Sequence, residues 1–355
     1  MTPRSHDGGS EALRFFLMPV PPLSKRERAS RLLGQPVLAP LRGRRAALRI
    51  LAYHRIVAPP WDDFRFDEQI ISATPEAFEA QMRFVAKNFE VVGFADLEKC
   101  EIEGKPWPSR ALIVTFDDGY RDNYTLAWPI LRELKLPATI FLTTGHIGAQ
   151  KLFWWDAIAF AFNTSDLPSV EVPELGQEPF PLATPAQKRA AIDAALSYSK
   201  SVSDAQRRDF VARLPALLEV NLDENVARGM HINWDEVREM ARGGVEFGGH
   251  TVTHPILSRV DAEQLEFETA HCKAEIERET GQNVLAFAYP AGTRQRRDPA
   301  ARAGVEASGY RFAVAYDQGV EQHPDRFAMP RLHVDRDQSL SLFRANLLFP
   351  GLMLR

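Results

Sequence analysis

Two short stretches of this chain carry residue types able to do chemistry. The first, Thr115-Phe116-Asp117-Asp118-Gly119-Tyr120, sets two adjacent carboxylates behind the apolar, β-branched run Ala111-Leu112-Ile113-Val114. That run reads as a buried strand, and Gly119 permits a sharp turn at its end. Neighbouring carboxylates repel, which raises one pKa unless a cation lies between them or takes one of them. The second stretch, His250-Thr251-Val252-Thr253-His254, sets two imidazoles four residues apart behind Val245-Glu246-Phe247. Two imidazoles and one carboxylate leave open coordination positions, as in a catalytic zinc site. Thr251, between the histidines, has a hydroxyl able to steady the loop. Taken singly, each has an ordinary reading. Histidines at this spacing are common on surfaces, and Asp before Gly commonly makes a turn or helix cap. Their conjunction points to a metal.

The elements that must position these groups alternate along the chain. Leu48 to Tyr53 reads as a strand ending at His54, and Thr74-Pro75 caps an amphipathic helix over 75–88 that carries Phe78, Met82 and Val85. After the Asp-Asp strand come a helix from Tyr124 to Leu134 and a strand over Ala138–Leu142. Alternation resumes with a helix from Trp234 to Arg242 and the strand before His250. A helix then carries Leu265, Thr269, Cys272 and Ile276 on one face and stops at Gly281. Strands follow over Val284–Tyr289, Phe312–Tyr316 and Phe327–His333. Such alternation predicts an α/β fold with a parallel sheet. His54, Asp117, Asp118, His250, the Pro290 turn and His333 all fall at strand C-terminal ends. In a (β/α) barrel those ends share one face, where active sites are built. Core packing is the plain reading of Trp154-Trp155, and a solvated loop that of Arg294, Arg296 and Arg297.

The 355 residues are 45% hydrophobic and 25% charged, enough chain for one large domain with an insertion. Residues 1–45 read as an N-terminal arm, partly disordered, and 46–355 as the catalytic domain. Residues 151–232 form a helical insertion in it, with a Pro- and Glu-rich loop over Leu167–Pro181 and capping boxes at Thr184–Gln187 and Ser203–Gln206. A net charge of −4 leaves no nucleic-acid footprint. Cys100 and Cys272 make no disulfide framework. No apolar run is long enough for a transmembrane segment, and Phe15–Val20, broken by proline, is not the core of a signal peptide. The expected location is cytoplasmic or membrane-peripheral, with a C-terminal helix docked on the domain.

Thr-Phe-Asp-Asp-Gly together with His-Thr-x-x-His resembles the polysaccharide deacetylase family, the NodB-homology domain of carbohydrate esterase family 4. The likeness covers about 46–335 without the insertion. It implies a distorted (β/α) barrel of about seven strands and a divalent metal, zinc foremost. Asp117 would be the general base, and Asp118, His250 and His254 the metal ligands. The family's third motif carries an arginine that orients the base. Here Phe287-Ala288-Tyr289-Pro290-Ala291-Gly292 has none, so Arg331 and Arg55 are the candidates to replace it. Tyr53-His54-Arg55 and the Ala-Tyr-Pro motif resemble the exopolysaccharide branch, in which an early-strand histidine is the acid. That favours His54 over its rival His333. The backbone N–H of Ala291 would help hold the oxyanion. The implied substrate is an N-acetylated amino-sugar carbohydrate. The alternatives are a deformylase, O-acetyl esterase or imide hydrolase on the same scaffold, a sugar-binding pseudoenzyme, or a non-haem iron oxygenase. The last offers no role for a second aspartate.

Overall fold

The computed structural model describes residues 47–290, 298–321 and 324–350. The expected arm over 1–45, Ala291 and the arginines at 294, 296 and 297 lie outside them.

Seven parallel strands close into a ring: β1 (Arg49–Tyr53), β12 (Met329–His333), β11 (Phe312–Gln318), β10 (Ala286–Ala288), β9 (Glu246–Gly249), β6 (Thr139–Leu142) and β5 (Ala111–Phe116), which returns to β1. The register sets Leu51 beside both Leu332 and Val114. β5 leans on β6 only at Thr115 and Phe116, so β4 (Glu90–Val91) pairs with its other end, at Ala111 and Leu112. Every residue of β1 and β5 is buried. That explains why they read as near-continuous apolar runs rather than as alternating ones.

Alternate side chains serve two cores. Leu51, Tyr53, Leu112, Val114 and Phe116 pack with the surrounding helices. Ile50, Ile113, Phe141, Val314 and Met329 pack together with Phe94 and Leu97 of a helix over Phe94–Ile102. That helix was not anticipated. It holds only two buried residues, and its N-terminus is capped from a distance: the Glu246 carboxylate accepts from the backbone of Phe94 and Ala95.

The outer layer contains α1 (Pro75–Asn88), α2 (Phe94–Ile102), α3 (Trp128–Leu134, entered through a π-helical turn over Asn123–Ala127), and later α7 (Trp234–Arg242). α8 (Ala262–Glu266) passes through a π-helical turn, Phe267–His271, into α9 (Cys272–Thr280); α10 (Pro299–Ala307) and α11 (Leu340–Leu348) follow. Thr74 caps α1 by accepting from Ala77 N–H, with Pro75 at the first helical position. α11 docks onto α1, and the Arg49 side chain of β1 donates to the Leu347 carbonyl at 2.8 Å. Among the described residues no helix is long and apolar enough to cross a membrane.

Between β6 and α7 lie α4 (Trp154–Thr164), α5 (Pro185–Ser201) and α6 (Asp204–Leu217), packed on a hydrophobic core of their own around Phe153, Ile158, Phe162, Ile192, Phe210 and Leu214. The stretch read as a Pro- and Glu-rich loop also holds a short hairpin. β7 (Ser169–Val170) pairs antiparallel with β8 (Phe180–Pro181). Each strand is two residues long, too short to show any period.

Candidate active site

β5 ends at Phe116, and the chain turns through Asp118 (φ 76°) and Gly119 (φ 81°). β9 ends at Gly249, and the loop behind it puts Thr251 (φ 70°) and His254 (φ 58°) in the same left-handed region. Side-chain-bearing residues rarely adopt that backbone, and three of them meet here. The result brings Asp118, His250 and His254 together, one ligand atom from each lying within 4.8 Å of the others. His250 Nε2 and His254 Nε2 stand 3.4 and 3.5 Å from Asp118 Oδ1, and 3.1 Å from each other. All three residues are buried, yet neither oxygen of Asp118 accepts a hydrogen bond among the described residues. An orphaned buried carboxylate facing two imidazoles fits a divalent cation well.

The surroundings aim these groups. His250 Nδ1 is 2.7 Å from the Ala288 carbonyl, which leaves Nε2 for a ligand. Thr251 Oγ1 donates to the His250 carbonyl and accepts from His254 N–H. Glu268, which sequence reasoning missed, accepts from the Val252 and Thr253 backbone and from the Thr253 hydroxyl. One signal for it was present: its place beside Thr269 puts a charge on the helix face predicted to be buried. Burial works against charge on His250, but Asp118 and Asp117 outweigh it and raise its pKa. Burial, His250, Arg207 and His146 hold His254 well below the ordinary value.

Asp117 is treated differently. Arg331, on β12 and fully buried, donates to both its oxygens at 2.7 Å, a bidentate pair. Burial alone would raise the Asp117 carboxyl; Arg331, His250 and His54 outweigh it and hold it well below the carboxylate range. Arg55, the other arginine considered for that role, pairs instead with Asp122 at 2.9 Å and lies over the Tyr120 ring. His54 Nε2 sits 3.8 Å from Asp117 Oδ2. The His54 backbone is fixed by Ser72 and Asn123. The His333 ring packs on Tyr316, and burial, then Arg331 and His54, push it down to about 3.

A cleft of about 540 Å³ opens over these groups, lined by His54, Asp117, Asp118, His250 and His254 but not by His333. Its walls include Trp154 and Trp155 of α4 and Leu196 and Lys200 of α5. Trp155 lies against the His254 ring, 4.5 Å between centroids, and Arg207 of α6 donates to the His254 carbonyl. Deeper, Tyr120 donates to Asp156 and accepts from Trp155 Nε1; burial pushes Asp156 up to about 7.

A closed parallel barrel with an Asp-His-His group and an ion-paired aspartate on one rim defines a hydrolase-like class. The chain belongs to the polysaccharide deacetylase family, whose model matches residues 104–180 and 204–313, more than half of its length. It is 32% identical over 90 residues to a poly-beta-1,6-N-acetyl-D-glucosamine N-deacetylase of Escherichia coli, a match covering 24% of this chain and 13% of that protein. It is 20% identical over 302 residues to a putative polysaccharide deacetylase of Bacillus subtilis, covering 84% and 76%. In structure it resembles the Streptococcus pyogenes deacetylase PplD, with a TM-score of 0.56, 16% identity, and coverage of 85% of this chain and 96% of that one. That likeness is one of fold.

Proposed function

We propose that this chain hydrolyses N-acetyl groups on an amino-sugar glycan, yielding a free amine and acetate, with zinc held by Asp118, His250 and His254. The observation that carries the reading is the pairing of opposites on one rim. Asp118 is buried without a hydrogen bond beside two imidazoles, and Asp117 is ionised by Arg331 next to it. Residues 46–355 act as one catalytic unit, with 151–232 forming one wall of the cleft.

Asp118, His250 and His254 would hold a divalent cation, which would supply Lewis acidity and acidify water. Asp117, kept ionised by Arg331, accepts the proton as water attacks the carbonyl carbon. The C–N bond then breaks, and the leaving nitrogen takes a proton from His54. Three facts support His54 over His333. His54 lines the cleft, it lies beside Asp117, and His333 is held neutral with a pKa of about 3. The sequence leaves an oxyanion role for the Ala291 N–H.

The test is acetate release from N-acetylglucosamine oligomers by purified protein, stripped with chelator and reloaded. Activity should vanish on stripping and return with about one zinc per chain. Undiminished release from stripped protein would sink the metal assignment. Release from O-acetyl esters but not from amides would favour the esterase alternative.

A further inference from the structure

The cleft has an uneven charge. Three acids line it: Asp67 is paired with Arg189 and Asp117 with Arg331, and Asp118 faces the two histidines. Two cations line it as well, Lys200 from the last turn of α5 and Arg259 from a short turn over Leu257–Arg259. Both are exposed, and neither side chain has a carboxylate partner among the described residues. They come from separate segments, one in the helical wall and one behind the His250–His254 loop. Tyr289, buried in the same lining, has a hydroxyl that makes no hydrogen bond among the described residues. Lys200 also falls in the gap, 181–203, between the two segments that match the family. Lys200 therefore lies in a part of the chain that the family pattern does not cover, while Arg259 lies in a part that it does.

Two unpaired cations facing a cleft raise the local potential and favour an anionic ligand. Resting on the deacetylase reading above, we infer that the glycan this cleft accepts is negatively charged. An acidic group on a unit next to the acetylated sugar would meet Lys200 and Arg259. A uronic-acid carboxylate and a phosphodiester present the same chemistry to these side chains.

Binding tests this independently of catalysis. The zinc-loaded Asp117→Asn protein is titrated with three oligosaccharides of equal length, followed by tryptophan fluorescence. One is neutral N-acetylglucosamine oligomer. The second alternates N-acetylglucosamine with a uronic acid, and the third carries phosphodiester links. One acidic oligomer should bind ~10-fold tighter than the neutral one, and the arm that does so identifies the anion. The double variant Lys200→Ala/Arg259→Ala should lose that advantage while binding the neutral oligomer unchanged. Raising ionic strength to about 1 M, where the Debye length is about 3 Å, should shrink it too. Equal binding of all three oligomers overturns the inference, as does an equal loss on all three in the double variant. Acetate release by the wild-type holoenzyme is measured alongside. Release without charge preference leaves the deacetylase reading standing and this inference overturned. Charge-selective binding without release does the reverse.

Discussion

The rim of the barrel has two halves that the chain treats in opposite ways. Where β1, β5 and β12 meet, the charged groups satisfy one another: Arg331 grips Asp117, and Arg55 grips Asp122. Where β9 and its loop face Asp118, buried nitrogens and oxygens converge without such partners, on backbone held in the left-handed region. A protein does not leave buried polar atoms unmet without cause, and it keeps strained backbone mainly where the site needs it. The first half carries fixed, paired charge. In the second half, among the described residues, the buried Asp118 carboxylate faces two imidazoles without a hydrogen bond.

The comparison breaks most visibly at the adjacent aspartates. Asp117→Asn should cut turnover by ~10²–10⁴ with zinc content unchanged, whereas Asp118→Asn should empty the site of zinc. Measuring metal content and rate on both variants checks this, and swapped phenotypes would reverse the two roles. Next in size is the choice of acid. His54→Ala should lower turnover by ~10² and remove the alkaline limb of the pH–rate profile, while His333→Ala should leave that limb in place. Loss of the limb only in the His333 variant would hand the role to that residue. The smallest effect sharpens the second half alone. Glu268→Gln weakens the acceptor that fixes the Val252–Thr253 backbone, so zinc affinity should fall by ~10–100-fold while the rate of the loaded enzyme changes little. Unchanged affinity would mean that the loop holds its shape without Glu268.

The second half was the more legible in sequence. Asp118, His250 and His254 sit in two short motifs, and local spacing announced both. The alternation of strand and helix then placed those motifs on one rim. The first half was harder because its contacts are distant in sequence. Arg331 and Asp117 lie 214 positions apart, and only closure of the ring brings β12 near β5 by way of β1. Arg55 lay beside His54 in sequence and was an equal candidate until the fold turned it toward Asp122. Glu268 was obscured because it serves a loop rather than a neighbour on its helix. The Tyr120–Asp156–Trp155 contacts join the Asp117–Tyr120 turn to the insertion and leave no periodic mark.

The closure of the ring bears on how the molecule comes into being. β1 has two neighbours, β5 and β12, and β12 is the last strand of the barrel. As the chain leaves the ribosome, β1 can pair on one side early, but its other edge stays bare until nearly the whole domain has been made. Pairings that span most of a chain carry a large loop-closure entropy and fold slowly. A bare edge that persists this long is a template for misassociation. The Asp117–Arg331 pair lies across that late seam, so Asp117 acquires its charge partner only when the barrel shuts.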